Sequence, residues 1–188
     1  MIINIRGTSG SGKTTVMRKV MAELGSWTGI GYPGRKKPMY YSLNGRQVET
    51  GLPGVYALGH YETACGGCDN VGSAAKVYEL IMSLLTTYGG DSIILCEGLL
   101  LSEDTKWTSQ LEDVRLLYLT TPLETCLKQI KSRREEAGNS KELNPMNTSN
   151  RVSTIERGRV KLLSLGFECR RASSNQAPKI ILDWIKHG

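Results

Sequence analysis

Aromatic residues supply only 6% of the 188-residue chain, with a single phenylalanine, and histidine occurs just twice, at His60 and His187. The second histidine stands at the far end of the chain, so the pair does not suggest a histidine-rich metal centre. No apolar stretch approaches the length of a membrane span, and no basic-then-apolar leader precedes the first apolar run. A soluble cytoplasmic protein is expected. Internal repeats and low-complexity linkers are also lacking, which leaves one compact domain over residues 1–188. Five cysteines (Cys65, Cys68, Cys96, Cys126, Cys169) are an odd number without an export signal, and they are expected as reduced thiols.

Acidic residues are in deficit: 18 Asp and Glu stand against 24 Lys and Arg, a formal net charge of +6. The excess gathers in Arg35-Lys36-Lys37, in Lys128 to Arg134, between Arg151 and Lys161, and in Arg170-Arg171. Such a surface attracts a polyanion such as DNA. A phosphoryl-transfer enzyme also needs cations around its triphosphate, so charge alone leaves both readings open.

What the chain does have is Gly7-Thr8-Ser9-Gly10-Ser11-Gly12-Lys13-Thr14, a G-x-x-x-x-G-K-[ST] loop directly after the apolar run Ile2-Ile3-Asn4-Ile5. Its glycines let successive backbone N–H groups turn toward phosphates, Lys13 brings a mobile charge, and the Thr14 hydroxyl suits Mg²⁺. Helical spacing from Val16 to Leu24 puts the phosphates at a helix N-terminus. The loop through Thr15 is therefore the expected binding site of a nucleoside triphosphate.

Beyond it, strands and helices alternate. A strand at 1–6 and a helix to about Leu24 are followed by an irregular stretch, 25–38, and by two strands, 39–43 and 55–59, arranged as a hairpin or edge ribbon. A helix spans about 71–88, continuous apolar runs at 92–96 and 114–119 read as buried strands, and Pro122 starts a helix to about Ala137. Residues 138–149 are polar and turn-forming; a helix at 150–165, a short strand at 167–169 and a closing helix at 176–186 complete the chain. The pattern predicts an α/β fold, a parallel sheet with helices on both faces and a mobile lid at about 133–149.

In such sheets chemistry gathers at the carboxyl ends of the strands. Ile93-Ile94-Leu95-Cys96-Glu97-Gly98 ends a strand on an acid, which points Glu97 toward Mg²⁺ beside Thr14 or makes it the base for an acceptor hydroxyl. Gly59 to Asn70 is a glycine-rich cluster that allows close backbone approach, and its Asp69 could accept a proton from an attacking hydroxyl or orient it, or merely cap a helix. Cys65 and Cys68 have C-x-x-C spacing near His60, but the ligand set does not close a zinc site, and a substrate-recognition loop is the expectation. Arg133 and Arg134 lead the candidates for neutralising charge on the transferred phosphoryl group, followed by Arg151, Arg157 and Arg159. Tyr40, Tyr56 and Tyr61 are available as stacking platforms for an extruded base, or as ordinary packing.

The loop at 7–15, Cys96-Glu97-Gly98, and Leu119-Thr120-Thr121-Pro122 with its basic helix and lid together resemble the P-loop kinases of nucleosides, nucleotides and small hydroxyl compounds. More narrowly, Ile3 to Lys13 taken with Gly59 to Asp69 is similar to phage-encoded kinases of thymine hypermodification, among them 5-hydroxymethyluracil DNA kinases. The resemblance implies ATP and Mg²⁺ at Gly10 to Thr15, Glu97 near metal or acceptor, Asp69 near the acceptor, and modified phage DNA as partner. Transfer of the ATP γ-phosphoryl group to the base hydroxymethyl group is the expected activity. A kinase of a free nucleoside, nucleotide or small metabolite, or a nucleotide-dependent regulatory or binding protein, explains the same motifs without DNA.

Overall fold

The structure, a computed structural model, describes residues 1–31, 34, 36–43, 53–63, 66–139 and 142–187. Strand β1 (Ile2–Arg6) runs into the phosphate loop and helix α1 (Lys13–Leu24), and β2 (Trp27–Ile30), β3 (Tyr40–Leu43) and β4 (Val55–Leu58) follow. Next come α2 (Ala74–Tyr88), β5 (Ile93–Glu97), α3 (Leu99–Glu103), β6 (Val114–Leu119), α4 (Leu123–Glu136), α5 (Pro145–Ser164), β7 (Glu168–Ala172) and α6 (Ala177–His187). They form one seven-stranded sheet in the order β2-β3-β4-β5-β1-β6-β7. The five strands from β4 to β7 along that order are parallel, and β3 and β2 extend the sheet antiparallel beyond β4.

The strands at the middle of the sheet are the ones hidden from solvent along their whole length. Every residue of β1 and β5 is buried, as expected of parallel strands covered on both faces. Alternation sends Ile3, Ile5, Leu95 and Leu117 to one face, where α1 and α6 cover them with Met17, Val20, Ile181 and Trp184. Ile2, Ile94, Leu116 and Tyr118 go to the other, under Leu80 and Leu84 of α2, Leu101 of α3, and Ile155 and Leu162 of α5.

Local chemistry sets the helix ends. The Ser73 hydroxyl accepts from Lys76 N at the start of α2, and the Asn144 side chain accepts from Met146 N ahead of Pro145.

Three expectations change. Residues 25–38 are not wholly irregular, because Trp27–Ile30 pairs with β3 and the Trp27 indole N–H donates to the Met21 carbonyl at 2.7 Å. The helix expected from about Val71 begins at Ala74, after a short turn at Cys68–Asn70. The polar stretch before residue 150 is in part helical: Asn144 and Pro145 start α5 there, so the segment between α4 and α5 is 137–144, of which residues 140 and 141 lie outside the described residues.

Candidate active site

Because β1 and β5 are adjacent parallel strands with Ile5 opposite Glu97, the phosphate loop and the acid leave the sheet side by side. The Thr14 hydroxyl donates to Glu97 Oε1 at 2.8 Å. A cleft of about 310 Å³ opens above them, lined by residues 9–15, Gly66, Asp69, Glu97, Leu99, Gln129 and Arg133.

The loop is held from three directions. Gly7 N–H donates to Ser102 Oγ of α3 at 3.1 Å, and Thr121 Oγ1 donates to the Ser11 carbonyl at 2.8 Å. Gly10, at φ +75°, lies so close to α4 that a Cβ there would press on the Cys126 carbonyl. Lys13 is not the solvated, mobile side chain expected: it is buried, and its ammonium donates to the carbonyls of Gly7 and Thr8 at 2.8 and 3.1 Å. Burial lowers its pKa, while Glu97 pulls the other way.

Glu97 is 1% exposed, and burial pushes its carboxyl up to about 7 against the opposing pull of Lys13 and Thr14. An acid at that value changes charge near neutral pH, which suits a proton acceptor.

Asp69 has a different environment. Its Oδ2 accepts from Leu99 N at 3.0 Å and its Oδ1 from Leu100 N at 3.1 Å, so it caps α3, which lies 30 residues downstream, rather than the helix that follows it in sequence. The cap brings the glycine-rich segment against the strand end so closely that a Cβ on Gly67, at φ +81°, would strike the Glu97 carboxylate. Arg18, one turn beyond Thr14 on α1, donates twice to the Tyr61 carbonyl and also to Thr63 O, fixing the same segment from the other side.

Of the two candidate arginines on α4, Arg133 faces the cleft, and Arg134 turns away to donate to the Glu142 carbonyl at 3.3 Å. Gln129, four residues before Arg133, shares its helix face, a spacing that could have identified it in the sequence. Arg151 pairs with Glu103 of α3 at 3.5 Å, while Arg157 and Arg159 bond within their own helix to Thr154 and Glu156.

The tyrosines are packing residues, not base platforms. Tyr56 is 1% exposed and stacks on Tyr88 at 4.6 Å, Tyr40 is buried beside Tyr56, and the buried Tyr61 donates to the Leu58 carbonyl. Cys68 is buried with its thiol directed at the Leu58 carbonyl, and both ring nitrogens of His60 are engaged locally, by Glu62 N and Thr63 Oγ1. Cys65 lies outside the described residues.

A parallel core in the order β4-β5-β1-β6-β7, a phosphate loop between β1 and α1, and an acid ending the neighbouring strand define a P-loop kinase-like α/β fold. A scan against protein-family models finds no match. The chain is 41% identical over 152 residues, 78% of its own length and 77% of the relative's, to a 5-hmdU DNA kinase of Pseudomonas phage PaMx11. It is also 28% identical over 178 residues to a 5-hmdU DNA kinase of Pseudomonas phage M6, covering 89% and 88% of the two chains. The chain belongs to the 5-hmdU DNA kinase family.

Proposed function

We propose that the chain is a single P-loop kinase domain that transfers the γ-phosphoryl group of ATP to the hydroxymethyl group of 5-hydroxymethyluracil in phage DNA, with the segment at 133–149 as its lid. The supporting observation is that Lys13, Thr14, Asp69, Glu97 and Arg133, drawn from distant parts of a chain in the 5-hmdU DNA kinase family, line one cleft.

The amides of residues 10–15 and the Lys13 ammonium hold the triphosphate at the start of α1. Thr14 and Glu97 present a hydroxyl and a carboxylate 2.8 Å apart, hard oxygen donors of the kind Mg²⁺ takes, so the residues fit that ion. Bound there, Mg²⁺ would offset charge on the phosphate oxygens. Glu97 takes the proton of the acceptor hydroxyl as the oxygen attacks the γ-phosphorus and the bond to the β–γ bridging oxygen breaks, releasing ADP. Arg133 balances charge on the transferred group. Asp69, its two oxygens already engaged by backbone amides, positions α3 and the acceptor-side segment rather than the proton.

The test is transfer of radiolabelled γ-phosphate from ATP to DNA containing 5-hydroxymethyluracil, to the free nucleoside and to nucleotides. Label in the modified DNA supports the reading. Label confined to free nucleosides or nucleotides replaces it with a small-molecule kinase, and ATP binding without transfer to any acceptor replaces it with a nucleotide-dependent binding protein.

A further inference from the structure

Large apolar side chains left exposed are not scattered over this molecule. Among the described residues there are six, and all but Met82 belong to α5 or to the residue after it: Met146, Val152, Val160, Leu163 and Leu165. Val160 and Leu165 are more than half exposed. A helix packed on a sheet normally directs such residues inward, and a cluster facing solvent marks a contact surface.

The geometry shows which way the cluster faces. The inward side of α5 carries Thr148, Ile155 and Leu162. One flank meets the centre of the molecule, where Arg151 pairs with Glu103 and Gly158 packs on Thr105. The other flank, with Val152, Glu156 and Leu163 at helical spacing, leans toward β7: Val152 and Glu156 share a crevice with Arg171. Strand β7 pairs with β6 on one side only, and among the described residues no strand covers the other. Glu168, Arg170 and Arg171 on it are exposed. An open strand edge and an apolar helix flank thus lie along the same border.

We propose that this border is the interface of a homodimer, in which two copies join their β7 strands antiparallel about a two-fold axis normal to the sheet, with the α5 flanks meeting above. The charges choose the register. With Cys169 on the axis, Glu168 lies opposite Arg170 of the partner subunit, and the reciprocal pair forms on the far side of the axis. Moving the axis by one residue in either direction, a two-residue slip of the pairing, instead puts Arg170 opposite itself or Glu168 opposite itself, and like charges directly opposite repel. The Glu168–Arg115 contact in the isolated chain is long, at 3.9 Å, and leaves Glu168 half exposed. The same pairing covers Val152, Val160 and Leu163 and satisfies the strand edge. Because the strands run in opposite directions across the axis, the two clefts open at opposite ends of a continuous sheet, and neither is blocked.

Sedimentation equilibrium of the full chain at micromolar concentrations tests this independently of the kinase reading. A dimer is expected, and the double variant Val160→Glu, Leu163→Glu is expected to be monomeric with an unchanged far-ultraviolet spectrum. Glu168→Arg should raise the dissociation constant by about tenfold or more, the scale of two lost cross-strand charge pairs replaced by repulsion, and adding Arg170→Glu should restore it. A wild-type chain that stays monomeric at these concentrations overturns the proposal, as does a charge swap that dissociates no less than Glu168→Arg alone.

Discussion

The two halves of the cleft are made in different ways. The donor half is one unbroken stretch, residues 7–15, whose shape comes from backbone amides and from glycine at positions such as Gly10. The half proposed to take the acceptor is assembled from the described residues between 59 and 69, the end of β5 and the short α3, and it is held by side chains reaching far along the sequence: Asp69 to Leu99 and Leu100, Arg18 to Tyr61, Thr14 to Glu97. A contiguous backbone site tolerates most side-chain changes outside its motif, whereas an assembled one depends on single residues that hold segments together. Substitutions on the two sides should therefore fail differently.

The largest effect is expected at the junction of the halves. Glu97→Gln should lower single-turnover transfer by roughly two to four orders of magnitude, the scale of general acid–base help, with ATP still bound; near-normal transfer in that variant would remove Glu97 from the chemistry. Next comes the contrast within the lid: Arg133→Ala should cost about two to three orders in kcat, the scale of a lost transition-state charge contact, while Arg134→Ala leaves kcat within a few-fold. Equal losses in the two variants would mean that the lid rearranges on closing.

The Glu97 carboxyl, raised from its ordinary 4.5 to about 7, supplies a pH test. Between those values the folded protein keeps a proton that the unfolded chain has released, so the stability of the ligand-free protein is full below the lower value and is lost as pH rises through the upper one. Melting temperature against pH should show this decline in the wild type and a flatter curve in Glu97→Gln. Smaller effects belong to the fastening of the acceptor half. Asp69→Asn keeps one cap acceptor and should cost about tenfold in transfer, the kinetic equivalent of a weakened cap, without changing ATP affinity. A loss of a hundredfold or more would restore Asp69 to the role of base.

The same division explains what could be read in advance. The parallel core of the sheet, the loop at 7–15 and the acid at the end of β5 are legible in the sequence because they rest on local patterns: apolar runs fit buried strands, and glycines and lysine stand at fixed spacing in one segment. Asp69 was recognised as important but its partner was not, since nothing in the order of residues says that a carboxylate at 69 will cap a helix starting at 99. Arg18 left no trace because it binds backbone carbonyls, which every residue has. The tyrosines were ambiguous for a related reason: alternation places Tyr56 on a face but cannot say that Tyr88 stacks against it. Strand β2 escaped because its Gly29 and the Gly/Pro residues after it look like loop composition, while pairing to β3 decides its conformation.

Five residues long, α3 could not persist as a helix alone. Yet Asp69 holds its first amides, its Ser102 receives the Gly7 amide, and its Glu103 pairs with Arg151 in the second turn of α5. Such a piece has no private stability to lose. In hydrogen exchange, the amides of Gly7, Leu99 and Leu100 are expected to exchange in one opening event, so that the loop at 7–15 does not open without loosening the segment held by Asp69.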